Sequence, residues 1–141
     1  MQDDVEFVML GSGEKKYEDW MRHLESVYKE KFRGWVGFNV PVSHRITTGC
    51  DILAMPSRFE PCGLNQLYAM RYGTIPVVHS IGGLRDNIKN FNPYAGEQSD
   101  EGTGYASFLE HFLPIIYRVD MHPLLNLEKL MELYHGVLSI D

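Results

Sequence analysis

Apolar residues follow two different spacings along this chain. Val5 to Leu10 is a nearly unbroken apolar run, interrupted by Glu6 and closed by Gly11-Ser12-Gly13, the pattern of a buried strand that ends in a tight turn. Behind it Tyr17, Trp20, Met21, Leu24, Val27 and Tyr28 recur at spacings of three and four. That spacing predicts a helix with these residues on one face and Glu18, Asp19, Arg22 and Lys29 on the other. Phe32 to Phe38 predicts a short aromatic strand containing two glycines, and Pro41 opens a second, shorter helix that runs to about Thr48.

Asp51 to Met55 predicts a strand, Gly63 to Tyr72 a helix and Thr74 to His79 a further strand. Strands joined through a helix run parallel, so the expected class is α/β, with a parallel sheet covered on both faces. Ligands of such sheets lie at the carboxyl ends of the strands. Those ends carry Gly11-Ser12-Gly13, Phe38, Ser57 to Gly63, and Ser80 to Leu84, which are expected to converge on one rim. Phe91 to Gly104, rich in Asn, Pro, Gly, Ser and acids, predicts an exposed loop or linker. Phe108 to His122 is apolar, carries Pro114 and has no clear period. Leu124 to Ile140 predicts an amphipathic helix through Leu127, Leu130, Met131, Tyr134 and Leu138. There is no internal repeat.

With 141 residues, 44% of them apolar, the chain is one domain or a large piece of one, able to bury a core. A net charge of −6, with 13 basic residues scattered along the chain, argues against nonspecific binding to nucleic acid or anionic membrane. Any anion site must therefore be local. Cys50 and Cys62 provide neither a disulfide scaffold nor the spacing of a metal knuckle, so no metal site and a reducing compartment are expected. No apolar stretch approaches the roughly 20 residues that span a bilayer. The start Met-Gln-Asp-Asp is not a basic, hydrophobic leader, and a soluble product is the expectation.

The most specific segment is Pro56 through Met70, where a strand breaks into a proline-braced turn bearing an acid and re-forms as a helix. Free N–H groups in the first turn of that helix can hold an anion, and Glu60 stands one short turn away. Glu60 is either a salt-bridge partner of Arg58 or a carboxylate that binds sugar hydroxyls and opposes positive charge at an anomeric carbon. Cys62 has no evident basic partner, so it is read as a small side chain that leaves its N–H free rather than as a nucleophile. Gly11-Ser12-Gly13 resembles the start of a dinucleotide fingerprint whose third glycine is replaced by Lys16. Two readings stay open for it: close packing of helix on strand, or approach of a nucleotide to the backbone. Gly82-Gly83 carries the same pair of readings, a plain turn or a ligand approach. His44, Arg45 and His79 are expected to be structural, and Met70, Tyr72 and Trp35 to be core.

On these residues the chain resembles the starch synthases of plants and their bacterial glycogen synthase relatives, most of all the soluble class I starch synthases. The matching runs are Phe7 to Gly13, Phe32 to Phe38, Val42 to Thr47, Pro56 to Met70 and Tyr72 to Asp86. The resemblance implies a two-domain GT-B glycosyltransferase of which residues 1–104 form a partial Rossmann-like, donor-nucleotide-binding domain, followed by a divergent tail over 105–141 that is helical or poorly ordered. It further implies retaining transfer of glucose from ADP-glucose to the non-reducing 4-hydroxyl of an α-1,4-glucan, with no cofactor beyond that donor.

By motif, Glu60 is then the catalytic carboxylate, and the N–H groups of Cys62, Gly63, Leu64 and Asn65 meet the diphosphate. Phe38 stacks on adenine, with Gly37, the Gly11-Ser12-Gly13 turn and the Gly82-Gly83 pair completing the donor site. Tyr68 stands where related glycosyltransferases carry a second Glu, as it does in starch synthases. The family's acceptor-side residues and phosphate-gripping Arg and Lys precede the matched region, so the chain is expected to be inactive alone and to meet glucan through a further domain. The plastid stroma is the implied location, and other starch-biosynthetic enzymes are candidate partners. A noncatalytic isoform that binds nucleotide sugar or associates with intact synthases is the alternative. A flavodoxin-like or dehydrogenase-like domain would explain the sheet but not Ser57 to Tyr68.

Overall fold

The structure, a computed structural model, describes residues 5–92 and 102–107. They fall into two compact units that divide after Ser43.

In the first unit β1 (Phe7–Gly11) and β2 (Phe32–Val36) pair in parallel, from Phe7 opposite Phe32 to Gly11 opposite Val36. Parallel neighbours need a crossover, and α1 (Lys15–Val27) provides it. The middle of the apolar stripe foreseen for this helix packs, while Val27 near its end is exposed. Met21 and Leu24 are buried, and Leu24 with Phe32 forms a core against which Phe7, Met9, Trp20 and Tyr28 lie. The rings of Phe7 and Phe32 stack with centroids 5.9 Å apart. On the solvent side Asp19 accepts hydrogen bonds from Lys15 and Arg22, and the Lys15 bond holds its carboxyl below the ordinary value. Such exposed pairs contribute little stability.

Trp35, expected in the core, is half exposed. Successive side chains of a strand point to opposite faces. Phe32 is buried, and a Cβ added at Gly34 would lie 3.4 Å from the Met21 carbonyl, so these two positions face α1. Arg33 and Trp35 therefore take the other face.

The second unit holds β3 (Ile52–Met55), β4 (Ile75–His79) and β5 (Tyr105–Ser107), all parallel in the order β3-β4-β5. The strands thus hydrogen-bond in two groups, where one sheet was expected, because an apolar run shows that a strand exists but not which backbone it meets. The helix α2 (Val40–Gly49) crosses the division between the units, α3 (Asn65–Tyr72) connects β3 to β4, and α4 (Gly82–Asn87) follows β4. Met55, Ala69, Val78, Leu84 and Ile88 are buried, and the buried Thr74 hydroxyl donates to the Thr47 carbonyl.

Tyr72 is another expected core residue that is exposed. Gln66 and Ala69 are the buried residues of α3, while Tyr68 and Tyr72, four apart, line a different face with His44 edge-on to both rings. The Tyr72 hydroxyl meets His44 Nδ1 at 3.0 Å.

α4 has no sequence forecast and starts at Gly82-Gly83 inside the expected loop. The span 105–141, expected to be helical or poorly ordered, instead opens with β5, which follows a bridge between Asn90 and Gly104 and pairs with β4, a neighbour that its own three residues do not reveal. The Asn90 side-chain oxygen accepts from the Ala106 N–H, and Phe91 N–H donates to the Gly104 carbonyl at 3.0 Å. The forecasts for Phe108 to His122 and Leu124 to Ile140 lie outside the described residues. Among the described residues no helix is long and apolar enough to cross a membrane.

Leu24 is fully buried, so Leu24→Ala removes transfer energy and leaves a cavity. We expect a loss of roughly 2–5 kcal/mol, read from denaturant unfolding followed by near-ultraviolet circular dichroism. A loss below about 1 kcal/mol would show that this cluster does not hold the first unit together.

Candidate functional site

Beyond Met55 the chain turns through Pro56 and Ser57, both buried. The Ser57 carbonyl lies 2.6 Å from His79 Nδ1 at the end of β4. A carbonyl only accepts, so Nδ1 carries the proton and the imidazole ties the two strand ends together.

Further along, the Glu60 carbonyl accepts a hydrogen bond from the Gly83 N–H at 3.0 Å. The fit is close. A Cβ added at Gly82 would stand 2.2 Å from the Glu60 oxygen, and one at Gly83 2.5 Å from the Cys62 oxygen. Gly82 also has φ +47, a conformation that side chains with a Cβ rarely adopt. The backbone that approaches this glycine pair is the chain's own segment from Glu60 to Cys62. The Glu60 side chain is half buried, and among the described residues its carboxylate makes no ion pair, with Arg58 or any other cation.

Gly63 has φ +67, and α3 begins two residues later. The first helical bonds run from Leu67 and Tyr68 N–H to the Leu64 carbonyl, at 3.0 and 3.1 Å. Among the described residues the N–H groups of Cys62, Gly63, Leu64 and Asn65 have no acceptor. A row of unpaired donors at the positive end of a helix is a place for an anion. Beneath it Gln66 is fully buried, and its Nε2 donates to the carbonyls of Cys62 and Gly63 at 3.1 and 3.0 Å. Its Oε1 has no hydrogen-bond partner among the described residues, a desolvation cost of about 1–3 kcal/mol.

The expected residues thus gather in two places. In the second unit Glu60, Cys62, Gly63, Leu64, Asn65 and Tyr68 lie on one loop and the first turn of α3, with Gly82 and Gly83 packed beneath Glu60 and Cys62. Gly83 N–H is engaged by Glu60, and Tyr68 is exposed and packed on His44.

In the first unit Gly37 N–H donates to the Gly11 carbonyl at 2.8 Å, which brings the Gly11-Ser12-Gly13 turn beside Gly37 and Phe38. Gly13 N–H donates to the Glu18 carboxylate at 3.3 Å, and Phe38 is 69% exposed. Gln66 carries no forecast. The signal was present, since it precedes the small residue Ala69 by three and so shares its helix face. Among the described residues no three His, Cys, Asp or Glu side chains gather as metal ligands.

The model of the family described as glycosyl transferases group 1 matches residues 1–105. The chain belongs to that family.

Relatives of this chain include the soluble starch synthase 1 of Solanum tuberosum, 79% identical over 75% of this chain and 16% of that protein. Starch synthase 1 of Arabidopsis thaliana is 74% identical over the same shares. Both are named chloroplastic/amyloplastic. The chain therefore spans about one-sixth of the length of these relatives. Among solved structures, the catalytic domain of starch synthase IV from Arabidopsis thaliana, bound to ADP and acarbose, matches with a TM-score of 0.65 and 31% identity. The match covers 96% of this chain and 29% of that one.

Two outcomes test the site geometry of this chain. Gly83→Ala places a methyl group against backbone that has no room to give, and we expect it to cost roughly 1–3 kcal/mol of stability in thermal or denaturant melts. An unchanged melt would mean that the Glu60 turn is not held by α4. Burial, and secondarily Asp51, pushes the Cys50 thiol up, whereas Cys62 is exposed. Less thiolate at a given pH means slower attack. Peptide mapping after limited iodoacetamide treatment should find Cys62 alkylated before Cys50, and the reverse order would contradict the described loop.

Proposed function

We propose that this chain carries the donor side of a retaining glucosyltransferase, binding ADP-glucose for transfer of glucose to the non-reducing 4-hydroxyl of an α-1,4-glucan. One observation carries the reading: the half-buried Glu60, with no ion pair among the described residues, comes two residues before a row of backbone N–H groups that have no acceptor among the described residues, at the start of a helix.

The chemistry of glycosyl transfer needs both parts. As the bond between the anomeric carbon and the diphosphate oxygen breaks, the electron pair leaves with ADP, and negative charge builds on the phosphate. Preorganised N–H groups of Gly63, Leu64 and Asn65 would stabilise that charge without reorganising. Positive charge builds on the sugar at the same moment, and the Glu60 carboxylate would oppose it.

The named activity of the starch synthase relatives and the ADP bound to the starch synthase IV domain support this donor. Glucan contact and turnover are assigned to the longer enzymes' remaining residues, and a plastid location is proposed from the relatives' names.

The full 141-residue chain, purified and titrated with ADP-glucose in a calorimeter and separately incubated with labelled ADP-glucose and a glucan primer, tests the reading. We expect binding without elongation. Failure to bind ADP-glucose would remove the donor assignment, and elongation by this chain alone would overturn the division between donor binding and turnover. At the corresponding position of a full-length starch synthase, Glu60→Gln should lower kcat by about 10²–10³-fold while leaving the melting temperature nearly unchanged. Near-normal turnover would refute the electrostatic role.

A further inference from the structure

The amide of Gln66 is fully buried beneath the loop that carries the unpaired N–H groups, and nothing in the chemistry of transfer calls for it. Nε2 holds two consecutive carbonyls, those of Cys62 and Gly63, at 3.1 and 3.0 Å. A trans peptide is planar, and its N–H points opposite to its C=O. Drawing the Cys62 and Gly63 carbonyls inward therefore turns the N–H groups of Gly63 and Leu64 away from Gln66.

The rest of the local packing agrees with such a clamp. A Cβ at Gly63 would lie 2.6 Å from Gln66 Oε1, so the side chain fits against a residue that is glycine and has positive φ. Oε1 itself has no partner among the described residues. An apolar residue of the same volume would fill the space but leave the Cys62 and Gly63 carbonyls without this donor, so filling space does not account for an amide here.

We propose that Gln66 is a positioning residue for the diphosphate of the donor: its side-chain amide sets the two peptide planes that aim the Gly63 and Leu64 N–H groups at the phosphate oxygens. This rests on the donor-binding reading above and adds to it the residue that orients the cradle. Gln66 touches no phosphate itself. It acts through the backbone.

The test uses the full 141-residue chain and two probes, ADP-glucose and inorganic pyrophosphate. Gln66→Met keeps the volume and removes the donors, and Val78→Ala, in the core of the same unit, is the control for stability alone. We expect Gln66→Met to weaken binding of both probes by about tenfold. Val78→Ala should lower the melting temperature without changing either dissociation constant.

Equal binding by Gln66→Met and the unsubstituted chain would overturn the positioning role and leave the donor assignment standing. No binding by the unsubstituted chain would overturn the donor assignment, and this inference with it. Where Gln66→Met does not fold, amide resonances of the unsubstituted chain decide. Gly63 and Leu64 should shift on addition of pyrophosphate while Gly83, already bonded to Glu60, stays in place. Unmoved Gly63 and Leu64 resonances overturn the proposal.

Discussion

Between the loop after β3 and the start of α4 runs one hydrogen bond, from Gly83 N–H to the Glu60 carbonyl, within a contact that leaves no space for a Cβ on either glycine. Much of the site geometry depends on this contact. It anchors the backbone of Glu60 and Cys62 against a helix packed on the buried part of the unit, since Leu84 and Ile88 belong to the core. With the backbone fixed, the Glu60 side chain is presented from a stationary point, and the adjoining peptides have few conformations left. Loops that hold charge in a defined place gain from such restraint, because donors already in position need no rearrangement when charge develops.

The same loop shows how a buried polar group can serve a backbone. Gln66 shares a buried helix face with Ala69, and its side-chain amide donates to the carbonyls of Cys62 and Gly63. Its two N–H bonds offset part of the cost of burying an amide, and the orphaned Oε1 is what remains of that cost. A helix start alone offers donors of generic direction. Two carbonyls fixed from below give those donors a specific one. The Gly11-Ser12-Gly13 turn offers a contrast, because there the Glu18 carboxylate already accepts from Gly13 N–H. Near the start of α1 the chain supplies its own anion, whereas among the described residues none meets the N–H groups at the start of α3.

Most of the secondary structure was legible because period and punctuation are local properties. Tyr17 to Tyr28 announced α1 through spacings of three and four, and the apolar runs before Gly11 and Pro56 announced β1 and β3. The acid-bearing turn followed by a helix start was legible too, since Pro, Gly and a switch of period mark it directly. α4 was not, because six residues opening on two glycines carry too little pattern to distinguish from a loop. β5 was not, because its existence rests on β4 lying beside it and not on its own three residues. Trp35 and Tyr72 looked like core because they are aromatic, but the pleat of β2 and the buried face of α3 send them outward.

Local order of residues therefore determined which elements form, that neighbouring strands run parallel, and that an acid, two glycines and a helix start lie within a few residues of one another. Tertiary structure decided everything that requires two distant backbones to meet. It set the contact of Gly82 and Gly83 with Glu60 and Cys62, the bond from His79 to Ser57, and the grouping of strands. It also decided which backbone N–H groups stay unpaired. The reason is that periodicity records which side of an element is apolar, whereas the partner, the register and the unsatisfied donors are properties of the space between elements, which no single segment contains.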